Sequence, residues 1–384
     1  MKFFKNKKQS GLASVQTAPA IVKNDYPFKI LEKSTACSNS ELELYKVLKE
    51  AVPIIDAAIS KILRLTGEFK IICDDEYVQE KINKFISDVQ VGACGKGVNN
   101  FVLSHLNQLL TYGTAVGEIV LDEFGENISA LYSASLSDVE LKTDNNPLDL
   151  KIYRRKSNGE TELIKYPELV LISTLNPEPG HIYGDSIMKG LPFVSNILLK
   201  IYNSIGINWE RLGNIRFAVT YKPPQDAGER AYSKERAHQI ATEWSKTMHS
   251  GPCPSDFIAV GDVSIKVIGA DNQILDSQIP VRQMLEQIIS KLSIPPFLLG
   301  LNWSTTETMS TQQAEILSSE LEAYRRILNP IIRKICDMWM QLNGMYEKYE
   351  IVWEKIDLKD GVQLANARLL NAQAEEIEKR ISVI

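Results

Sequence analysis

The sequence predicts an α+β protein with more than one folded unit, and three observations support this prediction. Apolar residues recur at helical spacing over long segments, above all between Asp276 and Asn343. Between residues 118 and 165, short segments of alternating polarity are separated by turns rich in Asn, Pro and Gly, a pattern typical of antiparallel strands. With 384 residues, 44% of them apolar, the chain can also form two or three hydrophobic cores.

The first 25 residues predict a flexible arm. Four lysines lie within the first eight residues, and small and polar residues follow without apolar periodicity. This start lacks the apolar segment of a signal peptide, and no apolar run in the chain reaches the roughly 20 residues that cross a bilayer. We therefore expect a cytoplasmic, non-membrane protein whose arm is either solvated or reaches a neighbouring subunit or nucleic acid.

Helices and strands alternate from Ser40 to Lys165. The spacing predicts a helix over 40–65 that Pro53 interrupts, a strand at Phe69–Cys73 and a second helix from Tyr77. Asp74, Asp75 and Glu76 precede that helix, where acidic residues cap and stabilise the N-terminus. A helix over 99–112 then leads into an antiparallel meander.

Two further helices enclose a second α/β segment. Pro192 suits the first turn of a helix that continues to Leu212. The next segment predicts strands near 217–221, 257–260 and 264–268 around a helix at 233–248. An amphipathic helix follows between Asp276 and Ser293.

The stretch after Ser293 combines a rigid corner with a polar loop. Pro295 and Pro296 remove two backbone donors, so the preceding helix must end by Ser293. Residues 301–310 are rich in Ser and Thr, which favour loops. Ser310 and Gln313 have capping-box spacing, and a long apolar helical stripe with Pro330 inside it predicts a kinked helix.

The order of these elements resembles the portal proteins of tailed bacteriophages, from about Glu41 to the C-terminus. The residues that carry the resemblance are Ile294-Pro-Pro-Phe-Leu-Leu-Gly300, the Ser/Thr-rich loop, Gln312-Gln313 and the helix with Leu321, Tyr324, Leu328 and Pro330. The resemblance implies a portal-like fold with wing, helical stem, α/β clip and helical crown, assembled as a ring. Its expected divisions are an arm (1–25), a wing (26–191), a descending stem helix (192–214), a clip (215–275), an ascending stem helix (276–293), a corner with tunnel loop (294–310), a long kinked wing helix (311–348), and a strand with a crown helix (349–384).

The resemblance also implies function and partners. It suggests a dodecameric channel at one capsid vertex for packaging and ejecting double-stranded DNA. Expected partners are the major capsid protein, the terminase large subunit, a head-tail adaptor and a scaffold protein. The expected location of the protein is the host cytoplasm during assembly and then the virion. Candidate residues are Pro295, Pro296 and Gly300 at the corner, and Tyr221, Lys222, Arg236 and Trp244 for partner docking in the clip. The tunnel loop comprises Trp303, Ser304, Thr305, Thr306, Glu307 and Thr308.

The residue types of the tunnel loop agree with weak contact to DNA. Its hydroxyl groups can hydrogen-bond to phosphate, and it contains no lysine or arginine that would arrest sliding. Trp303 is either a packing anchor at the base of the loop or a DNA contact. The net charge of −5 likewise favours a channel over a tight DNA reader.

The sequence offers no motif for a cofactor, a metal or catalysis. Its five scattered cysteines contain no CxxC pair and indicate reduced packing thiols. Two alternatives remain open. One is a DNA-processing enzyme using Asp74, Asp75 and Glu118 with a divalent metal; the other is a structural ring or adaptor of a phage-like particle without a genome.

Overall fold

The structure is a computed structural model. It describes residues 39–143, 146, 148–156, 159–213, 216–221, 263–268, 277–301 and 307–356, together with 235, 238–239 and 241–242. The expected N-terminal arm, the crown helix, and the candidates Lys222, Arg236, Trp244 and residues 303–306 lie outside these ranges. In the described part, no helix is long and apolar enough to span a membrane.

Helices and strands are mixed along the chain, as the sequence predicts. The helices are α1 (Asn39–Ala51), α2 (Pro53–Thr66), α3 (Glu76–Asp88), α4 (Val98–Tyr112), α5 (Leu191–Gly213), α6 (Gln278–Leu292) and α7 (Glu307–Leu342). The strands are β1 (Phe69–Cys73), β2 (Gln90–Val91), β3 (Gly95–Lys96), β4 (Thr114–Leu121), β5 (Ile128–Ala134), β6 (Val139–Thr143), β7 (Leu150–Arg155), β8 (Thr161–Leu163), β9 (Val170–Thr174), β10 (Arg216–Tyr221), β11 (Val263–Ile268) and β12 (Tyr349–Trp353).

Local sequence signals set several helix ends. Pro53 separates α1 from α2 and occupies the first position of α2, where its missing N–H costs nothing. The Asp75 carboxylate accepts a hydrogen bond from Val78 N at 2.9 Å and so caps α3. Gly113 ends α4 with a φ of 79°, a left-handed conformation that glycine adopts readily.

The strands between β4 and β9 do not form the single antiparallel meander that the alternation predicts. The larger sheet has the order β3-β2-β5-β4-β9, and its β2–β5 pair is parallel. Strands β6, β7 and β8 form a separate antiparallel sheet. The reason lies in β4, whose first four residues are all buried. A strand covered on both faces belongs in the centre of a sheet, so β9 returns to pair with its free edge.

The main core lies between the large sheet and the helices. The buried stripe of α7 contacts α2, α4 and β9, and five of its members are Leu317, Leu321, Leu328, Ile332 and Ile335. A smaller apolar cluster joins the other face of β4 to the three-stranded sheet. The wing is therefore built in layers around β4 and α7.

Two strands that are far apart in the sequence form a separate two-stranded sheet. β1 pairs antiparallel with β12, with Phe69 opposite Trp353 and Ile71 opposite Ile351. Strand β12, expected beside a crown, thus lies against the wing. In the clip segment, β10 pairs antiparallel with β11, and Tyr221 lies opposite Val263.

Candidate channel and subunit interface

Two helices, α5 and α6, pack against each other, and they correspond to the segments expected to form the stem. Leu191, Ser195 and Leu198 are buried near the start of α5. On α6, Ile288, Ile289 and Leu292 are buried near its end. These buried residues attach the two helices to the wing, because all except Ser195 belong to the main core.

Beyond this attachment, α5 exposes large apolar side chains on two sides. Tyr202 and Trp209 are seven residues apart and lie on one side of the helix, with 45% and 64% of their surface exposed. Ile207 is 40% exposed on the other side. Asn203 and Glu210, both exposed, form a polar stripe between the two sides. Apolar flanks of this kind are typical of a helix that packs against neighbours on both sides.

A short connection fixes the start of α5 to the wing. The Ser186 hydroxyl donates to the Thr111 carbonyl at 2.7 Å and accepts from Met188 N at 3.0 Å. Gly184 N donates to Thr114 Oγ1 at 2.9 Å. Gly184 and Gly113 pack backbone against backbone, so close that neither position has room for a Cβ atom. The sequence analysis did not predict this joint, for which the pair of glycines is the available signal.

The Pro-Pro corner has the rigid geometry that its sequence predicts. Helix α6 ends at Leu292, and Ser293 adopts a left-handed conformation with a φ of 53°. Pro296 then begins a short 3₁₀ helix that ends at Gly300, where φ is 76°. Leu301 N donates to the Pro296 carbonyl at 3.1 Å, which closes the corner.

The loop after this corner is shorter than the sequence predicts. Helix α7 begins at Glu307, so Glu307 and Thr308 belong to its first turn, and Ser310 and Gln313 lie inside the helix instead of forming its cap. An acidic residue near a helix N-terminus interacts favourably with the helix dipole, so Glu307 was itself a sequence signal for the start of this helix. The capping-box spacing of Ser310 and Gln313 indicated a later start instead. Between the corner and α7, only residues 302–306 remain, and they lie outside the described part.

An apolar cleft of about 360 Å³ lies where the corner meets α7. Its apolar lining comprises Ile289, Ile294, Pro295, Pro296 and Ile316. Gln313 also lines this cleft, and its Oε1 atom is buried without a hydrogen-bond partner among the described residues. An unsatisfied buried acceptor costs free energy, so the cleft favours a group that brings an N–H or O–H donor with an apolar surface.

The residues of the enzyme alternative are not brought together as a catalytic site. Asp75 is occupied as the cap of α3, and Glu118 lies on β4, opposite Tyr132 and Val170 of the adjacent strands. Among the residues that the structure describes, no group of three or more His, Cys, Asp or Glu side chains could hold a metal ion.

Comparison with solved structures identifies the class of fold. The chain is similar to a chain in the neck of an empty gene transfer agent particle computed with C6 symmetry, with a TM-score of 0.60 and 15% identity over 86% of this chain and 88% of that chain. A chain of the native particle's neck, computed with C12 symmetry, gives a TM-score of 0.60 with 14% identity over the same shares. An HK97-family phage portal protein from Corynebacterium diphtheriae gives 0.43, with 11% identity over 83% of this chain and 95% of that chain.

The predicted portal-type α+β fold is therefore confirmed. The chain shares this fold with a chain of the gene transfer agent neck across most of both lengths. No protein-family model and no curated protein matches the chain.

Proposed function

We propose that the chain is a portal subunit, which forms a ring-shaped channel at one capsid vertex for the packaging and ejection of double-stranded DNA. The observation that carries this proposal is the fold likeness to neck chains over 86% of the chain. The corner between α6 and α7 supports it independently, because the sequence of that stretch resembles portal proteins.

The two apolar flanks of α5 support assembly into a ring. A closed ring gives each subunit one neighbour on either side, with the two contacts formed by different surfaces of the same subunit. Tyr202 and Trp209 would pack against one neighbour, and Ile207 against the other. The symmetric necks of the gene transfer agent particles agree with this arrangement, and we propose a dodecamer.

The channel function requires weak contact with DNA. On the exposed face of α6, Gln283, Gln287 and Ser290 are neutral, Arg282 is paired with Glu286 at 2.8 Å, and Lys291 adds a single further cation. We propose that residues 303–306 with Glu307 and Thr308 line the narrowest part of the channel. The protein would need no catalytic site or cofactor of its own, since the terminase large subunit would hydrolyse ATP while the major capsid protein and a head-tail adaptor bind around the ring.

The first experiment is to determine the mass of the purified protein by light scattering and its shape by negative-stain electron microscopy. We expect a ring of about a dozen subunits with a central hole. A monomer that cleaves DNA in the presence of a divalent metal, and loses that activity on Asp75→Ala, would overturn the proposal.

A second experiment tests the channel itself. Replacing Thr305 and Thr306 with lysine adds positive charge that would hold phosphate and slow translocation. We expect rings to form normally while less DNA becomes protected from nuclease inside proheads; Thr305→Ser with Thr306→Ser is the matched control. Undiminished packaging by the lysine variant would contradict the assignment of the loop. Rings that protect no DNA even with the wild-type loop would favour a structural ring over a working portal.

A further inference from the structure

A cleft of about 620 Å³ opens at the β3 edge of the large sheet. It lies between the C-terminal half of α3 and the hairpin that β2 and β3 form. Four buried apolar side chains form its floor: Phe85, Val89, Ile128 and Trp339. Phe85 stacks on Trp339 with ring centroids 5.0 Å apart, which makes this floor a fixed apolar surface.

The rim of this cleft is positively charged. Lys81, Lys84 and Lys96 line it and are exposed, and Asp88 is the one acidic side chain in its lining. In the part of the chain that the structure describes, none of the three lysines forms an ion pair; Lys81 instead lies over the Tyr77 ring at 5.4 Å. Other exposed lysines, such as Lys142 and Lys156, are paired with nearby glutamates at about 3 Å.

The cleft therefore has more basic than acidic side chains in its lining, although the net charge of the chain is −5. The three lysines come from two separate segments, α3 and the β2–β3 hairpin, and they converge on one concave surface. Charges arranged in this way repel one another unless an anionic partner lies between them. The structure thus combines an apolar floor with a basic rim.

We propose that this lysine cleft binds an acidic peptide segment of another protein. Carboxylates of the segment would pair with the three lysines, and an apolar side chain between them would cover the floor. Duplex DNA fits less well, because three lysines fall short of the six to ten phosphate contacts, roughly, that a typical DNA-binding surface makes. The inference does not depend on ring formation, since the whole cleft belongs to one subunit.

Fluorescence anisotropy with the full chain tests the proposal. The probe is a short fluorescein-labelled peptide in which Glu and Asp flank Leu and Phe, and the control peptide carries Lys in place of each acid. We expect the acidic peptide to bind and the basic peptide not to bind. The variant Lys81→Glu/Lys84→Glu/Lys96→Glu should raise the Kd of the acidic peptide by at least about tenfold.

A matched charge change distinguishes the cleft from the overall charge of the protein. Lys46, Lys61 and Lys355 are exposed and do not line the cleft, so the variant Lys46→Glu/Lys61→Glu/Lys355→Glu, with the same charge change, should change the Kd by less than about twofold. Circular dichroism checks that each variant is folded. Absence of binding by the wild-type chain, equal weakening by the triple variant outside the cleft, or displacement of the peptide by duplex DNA at lower concentration would each overturn the proposal.

Discussion

Arg325 donates two hydrogen bonds to the carbonyl oxygen of Thr66, from Nε at 2.9 Å and from Nη2 at 2.6 Å, across 259 residues of sequence. Thr66 is the last residue of α2, and its carbonyl has no partner within the helix. Arg325 is 97% buried, and its guanidinium group also lies over the Trp353 ring at 5.1 Å. One side chain thereby joins α2, α7 and β12.

Replacing Arg325 with alanine should therefore destabilise the wing. The change leaves the Thr66 carbonyl buried without its donor and removes the contact with Trp353, so we expect a loss of about 3 kcal/mol in the free energy of unfolding. Arg325→Lys should lower the free energy of unfolding by less, because lysine keeps the positive charge. It should still be destabilising, because lysine lacks the forked pair of donors. Urea unfolding measures both, and Arg326→Ala is the control, since Arg326 is exposed next to it in sequence. Equal stability of the Arg325→Ala and Arg326→Ala variants would contradict this role.

The Arg325–Thr66 contact also shows where sequence reasoning stops. The α3 cap at Asp75 and the corner at Pro295 were predictable, because proline geometry and capping act within a few residues. The return of β9 to β4 was not, because nothing local in β9 specifies its partner. The two apolar flanks of α5 were not predicted for a related reason. The sequence shows that Tyr202 and Trp209 lie on a helix, but only the structure shows that their side chains are exposed. The lysine cleft was not predictable either, because its three lysines come from two segments that converge only in the folded structure.

Stability should fall in mildly acidic solution because of His105. Its side chain is fully buried, Nε2 lies 3.0 Å from Ser173 Oγ, and Nδ1 has no partner among the described residues. Burial lowers the pKa of His105 to about 4, whereas an unfolded chain should have the usual value of 6.5. Between these values the unfolded state binds more protons, so this histidine favours folding fully above pH 6.5 and loses that contribution as the pH falls towards 4.

The expected loss is about 2 kcal/mol in the free energy of unfolding between pH 7 and pH 5. Urea unfolding at both values measures it, and His105→Gln provides the comparison because glutamine keeps a hydrogen-bonding group without titrating. The difference between pH 7 and pH 5 should shrink by that amount in the variant. A variant with the wild-type pH dependence would show that other groups cause the effect.

The joint between the wing and α5 should tolerate no side chain at Gly184. A Cβ atom there would lie 2.5 Å from Leu175 N and closer still to the Gly113 carbonyl oxygen, both of which are backbone atoms that cannot rotate away. Gly184→Ala should therefore lower the free energy of unfolding by roughly 3 kcal/mol or prevent folding. Gly206→Ala is the control within α5, because a Cβ there meets nothing within 4 Å, and alanine should stabilise the helix by about 0.5 kcal/mol or more. Similar thermal unfolding of the two variants would disprove the close packing.

Ring assembly should depend on the apolar flanks of α5. In the ring that we propose, Tyr202 and Trp209 are covered by a neighbouring subunit, so Tyr202→Asp with Trp209→Asp would bury two charges at every subunit contact. Aromatic residues at the centre of an interface often contribute about 2 kcal/mol or more each, and the loss recurs around the whole ring. Light scattering should show subunits or small oligomers instead of rings. For a comparison at equal charge, Trp209→Asp alone should already weaken the rings, whereas Asn203→Asp introduces one charge on the polar stripe of the same helix and should leave them intact. Rings that persist in the double variant would place the subunit interface elsewhere, whereas disassembly by Asn203→Asp would show that added charge alone, regardless of the flank, disrupts the ring.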